Sequence, residues 1–219
     1  MADIHPMAVV DPAARIGAGC QIGPFCVVGP DVVLAEGVCL HSHVVLSGDT
    51  VIGPGTEIFP FAVIGGIPQD LKFAGEKTSL RIGALNRIRE HVTINTGTAG
   101  GGGVTRIGDD GLFMAGCHIA HDAQVGDRVI VVNSSAIAGH CVIEDDVIIG
   151  GLCGIHQWVR IGQGAIIGAV TMVTHDVIPH GLVQGPRGVL DGLNLVGLKR
   201  KGVDRADINA FRHQGQPGE

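Results

Sequence analysis

The sequence predicts an all-β chain wound as a parallel β-helix. Three observations carry this: an aliphatic residue every six positions, a small or β-branched residue two positions before it, and glycine often directly after it. The first column runs Val10, Ile16, Ile22, Val28, Leu34, Leu40, Leu46, Ile52, Ile58 and Ile64. It resumes at Ile82, Ile88 and Ile94, and again from Ile107 through Phe113, Ile119 and onward every sixth residue to Ile167 and Val173. That is 25 hexads, a period too long-lived for chance and the mark of short units stacked on one another.

The second column holds Ala14, Cys20, Cys26, Val32, Val38 and Val44, then Cys117, Ala123, Val129, Ser135, Cys141, Val147, Cys153 and Val159. Strand residues two apart face the same side, so both columns point into one interior. Glycines 17, 23, 29, 53, 83, 108, 126, 150, 162 and 168 are expected at tight corners that need positive φ. With three flat sides to a coil, 18 residues make one turn of a triangular prism, and the hexads give about eight coils. The pattern resembles the hexapeptide-repeat family, which implies a left-handed coil. That hand opposes the usual right-handed crossover, so it rests on the resemblance and not on the period.

Composition agrees. With 36 Gly, no Tyr, one Trp and 45% apolar residues, the core must be filled by aliphatics of similar size. A net charge of −6 argues against nucleic acid or an acidic membrane as partner, since either needs a basic footprint. No apolar run is long enough to cross a bilayer, and "MADIHPMAVV" lacks a charged leader segment. A cytoplasmic protein without stable membrane insertion is expected. Five of six cysteines (Cys20, Cys26, Cys117, Cys141, Cys153) fall in the small interior column, where a thiol serves as a compact apolar filler. Cys39 alone falls outside it. No CxxC pair occurs, so neither disulfide nor bound metal is expected.

Two insertions interrupt the coil: "GGIPQDLKFAGEKTSLR" (65–81), with Asp70 and Lys72, and the Gly-rich "GTAGGGGVTR" (97–106), expected as a mobile external loop. The β-helix is assigned to 1–185. The repeat decays through Pro179 and Pro186 into a short polar tail, 186–219, with one helix over 204–213.

An 18-residue coil stacks His121, Gly139, Gln157 and His175 in one column on the outer surface. His118 also points outward, and His140 and His156 flank the column on the next two coils. His5, His180 and His213 are read as solvated. Two chemistries suit the cluster. Zinc needs imidazoles converging on one point about 2.1 Å away, plus an open water position. General-base catalysis needs one imidazole of pKa about 6.5 whose tautomer a carboxylate, here Asp122, fixes. Gly139, one coil on, can offer its N–H to a developing oxyanion, and acyl transfer fits the set better than zinc.

The motifs "IGPFCVVGP", "SHVVLSGDTVIG", "QDLKFAGE", "NRIREHVTI", "GGGVTRIG", "HIAHDAQVGD", "AGHCVIEDD", "IIGGLCGIHQ" and "GLNLVGLKRKG" closely resemble the UDP-N-acetylglucosamine 3-O-acyltransferases, over residues 5–203. The resemblance implies a homotrimer with active sites between subunits, and the first step of lipid A biosynthesis. A 3-hydroxyacyl chain would pass from the phosphopantetheine of acyl carrier protein to the sugar 3-hydroxyl, with no other cofactor. His121 would be the base, Asp122 its orienter and the Gly139 N–H the oxyanion donor. His118, His140, His156 and Gln157 match positions that hold the sugar, the diphosphate or the acyl-pantetheine arm. Asp70 and Lys72 match substrate contacts reaching in from a neighbouring subunit. Asn194, Arg200 and Lys201 match the region meeting the nucleotide, and the basic "KRK" suits UDP or an acidic carrier on a chain of net −6. Ala169 matches the floor of the acyl groove, implying a medium-to-long chain.

Departures stand at Asn95 (usually histidine), Thr96 (usually arginine) and Val196 (usually glutamate), and the tail stops at Glu219 where relatives continue into a helical domain. Three other readings compete: the same chemistry on a 3-amino sugar nucleotide, a non-catalytic scaffold, and a zinc hydratase resembling the gamma-class carbonic anhydrases. The last lacks that family's Arg, Gln and paired-His spacing.

Overall fold

A computed structural model describes residues 1–185 and 193–214, with side chains through 210 in the second segment. The chain divides into two compact units, Met1–Gly185 and Pro186–Glu219. The expectation for Pro186 lies outside the described residues.

Met1–Gly185 is a left-handed parallel β-helix. Each hexad supplies one two- to four-residue strand, from Val9–Val10 through Met172–Val173. Two further strands, Asp3–Ile4 and Leu182–Val183, extend the coil beyond the repeat at either end. The strands stack in three parallel sheets of ten, nine and eight, which makes about nine coils rather than eight. Register is set by the aliphatic column: Ile119 pairs with Ile137, and Ile137 with Ile155. Ile119, Ile137, Ile88, Ile94 and Leu80 are wholly buried, each contributing about 1.5–3 kcal/mol through apolar burial.

The second column carries more than small size. Its thiols and hydroxyls donate to a corner carbonyl fifteen residues on: Cys20 to Ala35 at 3.0 Å, Cys26 to His41 at 2.7 Å, Ser135 to Gly150 at 2.6 Å and Cys141 to His156 at 3.0 Å. Burial pushes the Cys141 thiol up to about 11 and raises Cys26 and Cys117, so these groups keep the proton they donate. A core cysteine here closes a backbone acceptor as well as filling space.

The glycines after the aliphatic column serve a purpose different from the one expected. None of them has positive φ; the left-handed residues come two positions later, at Gly19, Gly37 and Gly55 but also at Phe25, His43, Asp122, His140 and Trp158. What requires glycine at 17 and 53 is proximity. A Cβ on Gly17 would meet the Ala35 carbonyl carbon at 2.6 Å, and one on Gly53 would meet that of Gly83 at 2.4 Å.

Both insertions leave the rack in phase. Ile64 pairs with Ile94 across the first and Ile94 with Ile119 across the second. The Gly-rich segment, expected as a mobile external loop, is external only at its tip around Ala99–Gly100 and Gly102. It begins with buried Gly97 and Thr98, forms a 3-10 turn at Ala99–Gly101 and re-enters the third sheet as Val104–Ile107. The second unit holds α1 (Leu195–Arg200), whose start is capped by the Asn194 side chain accepting from Gly197 N at 2.9 Å, and α2 (Arg205–Gln214). One of these helices was expected. Among the described residues, no helix is long and apolar enough to cross a membrane.

Candidate active site

The strand His118–Ile119 turns its Ile inward, and the chain then bends through the corner 120–123. His121 and Asp122 sit at that corner, Asp122 with φ 61°, a conformation that aspartate tolerates. His121 was expected on the outer surface, yet both residues are buried, at 4% and 3% exposure. The second insertion folds over them. A Cβ on Gly101 would stand 2.1 Å from the Asp122 carboxyl carbon, so the turn passes against the carboxylate.

A buried carboxylate needs every partner it can find. Asp122 Oδ1 accepts from the Thr98 N–H at 2.8 Å, and Oδ2 accepts from the Thr98 hydroxyl at 2.6 Å. Oδ2 also lies 2.9 Å from His121 Nδ1 and 3.7 Å from His140 Nδ1. The Asp122 N–H in turn donates to Thr105 Oγ1 at 2.7 Å. With Nδ1 held by the carboxylate, His121 carries its free ring nitrogen, Nε2, on the side of Gly139. His140 crosses His121 edge to face at 4.9 Å and stacks on Trp158 at 3.9 Å, so the three rings brace one another across successive coils.

The Gly139 N–H donates to nothing among the described residues. What an N–H at this turn position can bind is shown at another corner of the prism, the one that follows the eight-stranded sheet. There the N–H of Ala84, Asp109 and Asp127 each donates to an aspartate carboxylate of the next coil, at 2.7–2.9 Å. An N–H two residues past the inward aliphatic can thus donate to an anion, and among the described residues that of Gly139 has no acceptor.

His118, His121, Gly139, His156 and Gln157 line one groove of about 480 Å³, with Gln69 of the first insertion at one wall and Met172 at another. His118 Nδ1 lies 2.7 Å from Thr93 Oγ1, and burial, then the nearby His121, holds its imidazole below the ordinary value. Burial likewise lowers His140, against the pull of Asp122. The charges of Asp70 and Lys72 reach His140 within this chain, Asp70 raising and Lys72 lowering it. Ala169, expected at the groove floor, is exposed and does not line it; Met172 does. Exposed His175 bonds Thr174 at its own corner, 2.9 Å. Asn194, Arg200 and Lys201 lie in the second unit, where Asn194 is engaged as the α1 cap.

His121, Asp122 and His140 bring three donor atoms within 4.8 Å of one another, the arrangement a metal would use. The chemistry of the set favours the other reading. Both Asp122 oxygens are already engaged by Thr98, and His121 Nδ1 is committed to the carboxylate, which is how a base is oriented. Thr93, Thr98, Thr105 and Trp158 were not singled out from the sequence. Thr98 lies 24 residues from Asp122, a spacing that the 18-residue period hides.

Two family models match: bacterial transferase hexapeptide (six repeats) at residues 13–48, and UDP N-acetylglucosamine O-acyltransferase, domain 2, at residues 176–214. The acyl-[acyl-carrier-protein]–UDP-N-acetylglucosamine O-acyltransferase of Paracoccus denitrificans is 74% identical over 155 residues, 71% of this chain but 59% of the relative. Against that first relative the match therefore spans less than two thirds of its length. The enzyme of the same name from Rhizobium johnstonii is 54% identical over 211 residues, covering 96% of this chain and 78% of the relative. The crystal structure of UDP-N-acetylglucosamine O-acyltransferase from Moraxella catarrhalis superposes with a TM-score of 0.82 at 43% identity, over 96% of this chain and 82% of that one. On this coverage and identity, the chain belongs to the UDP-N-acetylglucosamine O-acyltransferase family.

Proposed function

We propose that this chain transfers a 3-hydroxyacyl group from acyl carrier protein to the 3-hydroxyl of UDP-N-acetylglucosamine, the first step of lipid A biosynthesis, as a cytoplasmic homotrimer. The observation that carries this is the buried His121–Asp122 pair opening on a groove beside an unpaired backbone N–H. His121 Nε2 takes the proton of the sugar hydroxyl as that oxygen attacks the thioester carbonyl carbon. Asp122 fixes the tautomer and stabilises the imidazolium, and the Gly139 N–H receives the charge that builds on the carbonyl oxygen. The C–S bond then breaks, and the pantetheine sulfur leaves with the proton returned from His121. No protein nucleophile enters, in keeping with the cysteines that serve the interior.

His118, His156 and Gln157 line the walls where the sugar nucleotide and pantetheine arm would lie, with Gln69 at the mouth. Asp70 and Lys72, close after Gln69 in the same insertion, would contact substrate in the site of a neighbouring subunit. Asn194, Arg200 and Lys201 would meet the nucleotide phosphates or the acidic carrier. The acyl chain would run along the outer face of the nine-stranded sheet past Ala136, Gly154 and Met172, accepting a medium-to-long chain. The reaction itself needs no metal or further cofactor.

The test is transfer from a 3-hydroxyacyl carrier to UDP-N-acetylglucosamine and, in parallel, to its 3-amino analogue, by wild type and His121→Ala. Ester formation by wild type with a loss of about a hundredfold or more in the variant supports the reading. Undiminished transfer by His121→Ala removes the base, preference for the amino sugar moves the reaction to amide formation, and no transfer by wild type leaves a scaffold.

A further inference from the structure

We propose that Cys39, His41 and Glu57 form a second site, on the outer face of the ten-stranded sheet, for a borderline-soft divalent cation such as zinc. Cys39 is the one cysteine of six that is not buried. Its strand, Cys39–Leu40, points Leu40 inward and so turns the thiol outward. One coil on, Glu57 pairs with Cys39 in register, which sets the two side chains side by side on the outer face. His41, two positions after Cys39, brings Nε2 to 2.8 Å from Glu57 Oε1. The three donor atoms lie within 4.8 Å of one another, and all three residues are half-exposed.

The donor set is mixed in the way that selects zinc or cobalt over magnesium or calcium: a thiolate, an imidazole and a carboxylate. Ligands on one tetrahedral ion at bond lengths of about 2.0–2.3 Å stand roughly 3.4–3.8 Å apart, a spacing reached by small rotamer changes. Gln21, paired with Cys39 from the preceding coil, places Oε1 4.0 Å from the sulfur and offers a further oxygen. The His41 ring is stacked on Phe59 at 4.6 Å, and Phe59 is itself under the Arg89 guanidinium at 4.4 Å. Support of that kind holds an imidazole ready for a metal. A groove of about 530 Å³, lined by His5, Gln21, Cys39, His41 and Ser42, gives an ion access.

Binding forms the S–metal bond and releases the Cys39 thiol proton to solvent. The resulting thiolate and the Glu57 carboxylate balance the charge of the ion. The site belongs to a different sheet from the strand that carries His118, so it is independent of the proposed acyl transfer.

Cobalt titration of the full chain, stripped with chelator, tests this. The expected result is a near-ultraviolet thiolate-to-cobalt charge-transfer band that saturates at one ion per chain, with one proton released. Cys39→Ser should abolish the band. His41→Ala and Glu57→Gln should each weaken cobalt binding about tenfold or more. Zinc should raise the thermal midpoint of wild type and not that of Cys39→Ser; the apo midpoints of the two confirm that the variant folds. A wild type without the band overturns the proposal. So does a band that survives in Cys39→Ser, or cobalt bound without a band and lost in His140→Ala, which places the ion at the other cluster.

Discussion

A methyl group on Gly139 would stand 2.5 Å from Cε1 and 2.7 Å from Nε2 of His121, so this imidazole keeps its place only because the corner one coil on has no side chain. Gly139→Ala therefore forces the base to move while leaving the N–H intact. A displacement near 1 Å at a reacting group costs about a hundredfold in rate. The expected outcome is a kcat loss of that order with KM little changed, measured by single-turnover acyl transfer. A variant with wild-type kcat would show that His121 is not the base.

Thr98 holds the Asp122 carboxylate through its N–H and its hydroxyl. Thr98→Val keeps the first bond and removes the second. A hydrogen bond to a charged group contributes about 1.5–3 kcal/mol, so kcat should fall roughly ten- to a hundredfold, and Thr98→Ser should restore it. Failure of serine to rescue would reduce the role of Thr98 to packing.

The lowered imidazoles of His118 and His140 make stability depend on pH in a stated direction. Below the ordinary value of about 6.5 the unfolded chain takes up protons at these positions while the folded chain resists them. Stability is therefore complete above that value and is lost as pH falls from it toward the lowered folded values. Thermal unfolding from pH 7.5 down to 5.5 should show the midpoint falling, and His118→Gln should flatten the curve. A midpoint unchanged over this range would contradict the burial of both rings.

Gly53 and Gly100 separate structural from incidental glycines. A Cβ on Gly53 meets the Gly83 backbone at 2.4 Å, whereas one on Gly100 meets nothing within 4 Å. Gly53→Ala should destabilise by about 1–3 kcal/mol through overpacking, or more if the coils are forced apart. Gly100→Ala should be close to neutral. Denaturant unfolding of the two variants makes the comparison.

The coil was legible because one aliphatic every six residues is a one-dimensional signal, and every hexad from Val10 to Val173 became a strand. The corners were not. Sequence patterning shows where glycine recurs but does not separate a need for positive φ from a need for empty space, and at Gly17 the second applies. The cluster around His121 was legible because the corners at 121, 139 and 157 follow both interruptions and keep the 18-residue spacing. Its burial was hidden, since the cover comes from an insertion that lies outside the repeat. The same break in period concealed Thr98 and Thr105, which reach Asp122 from 24 and 17 residues away.

Because Ile64 still meets Ile94, and Ile94 still meets Ile119, whatever length of chain leaves the corner between them, the rack and its loops are separable inheritances. Lengthening a closed loop costs only slowly more entropy. The exposed tips of the insertion that presents Gln69 and of the one that carries Thr98 can thus change length without shifting the aliphatic register of the prism. Such a molecule can change what it holds by editing its edges alone.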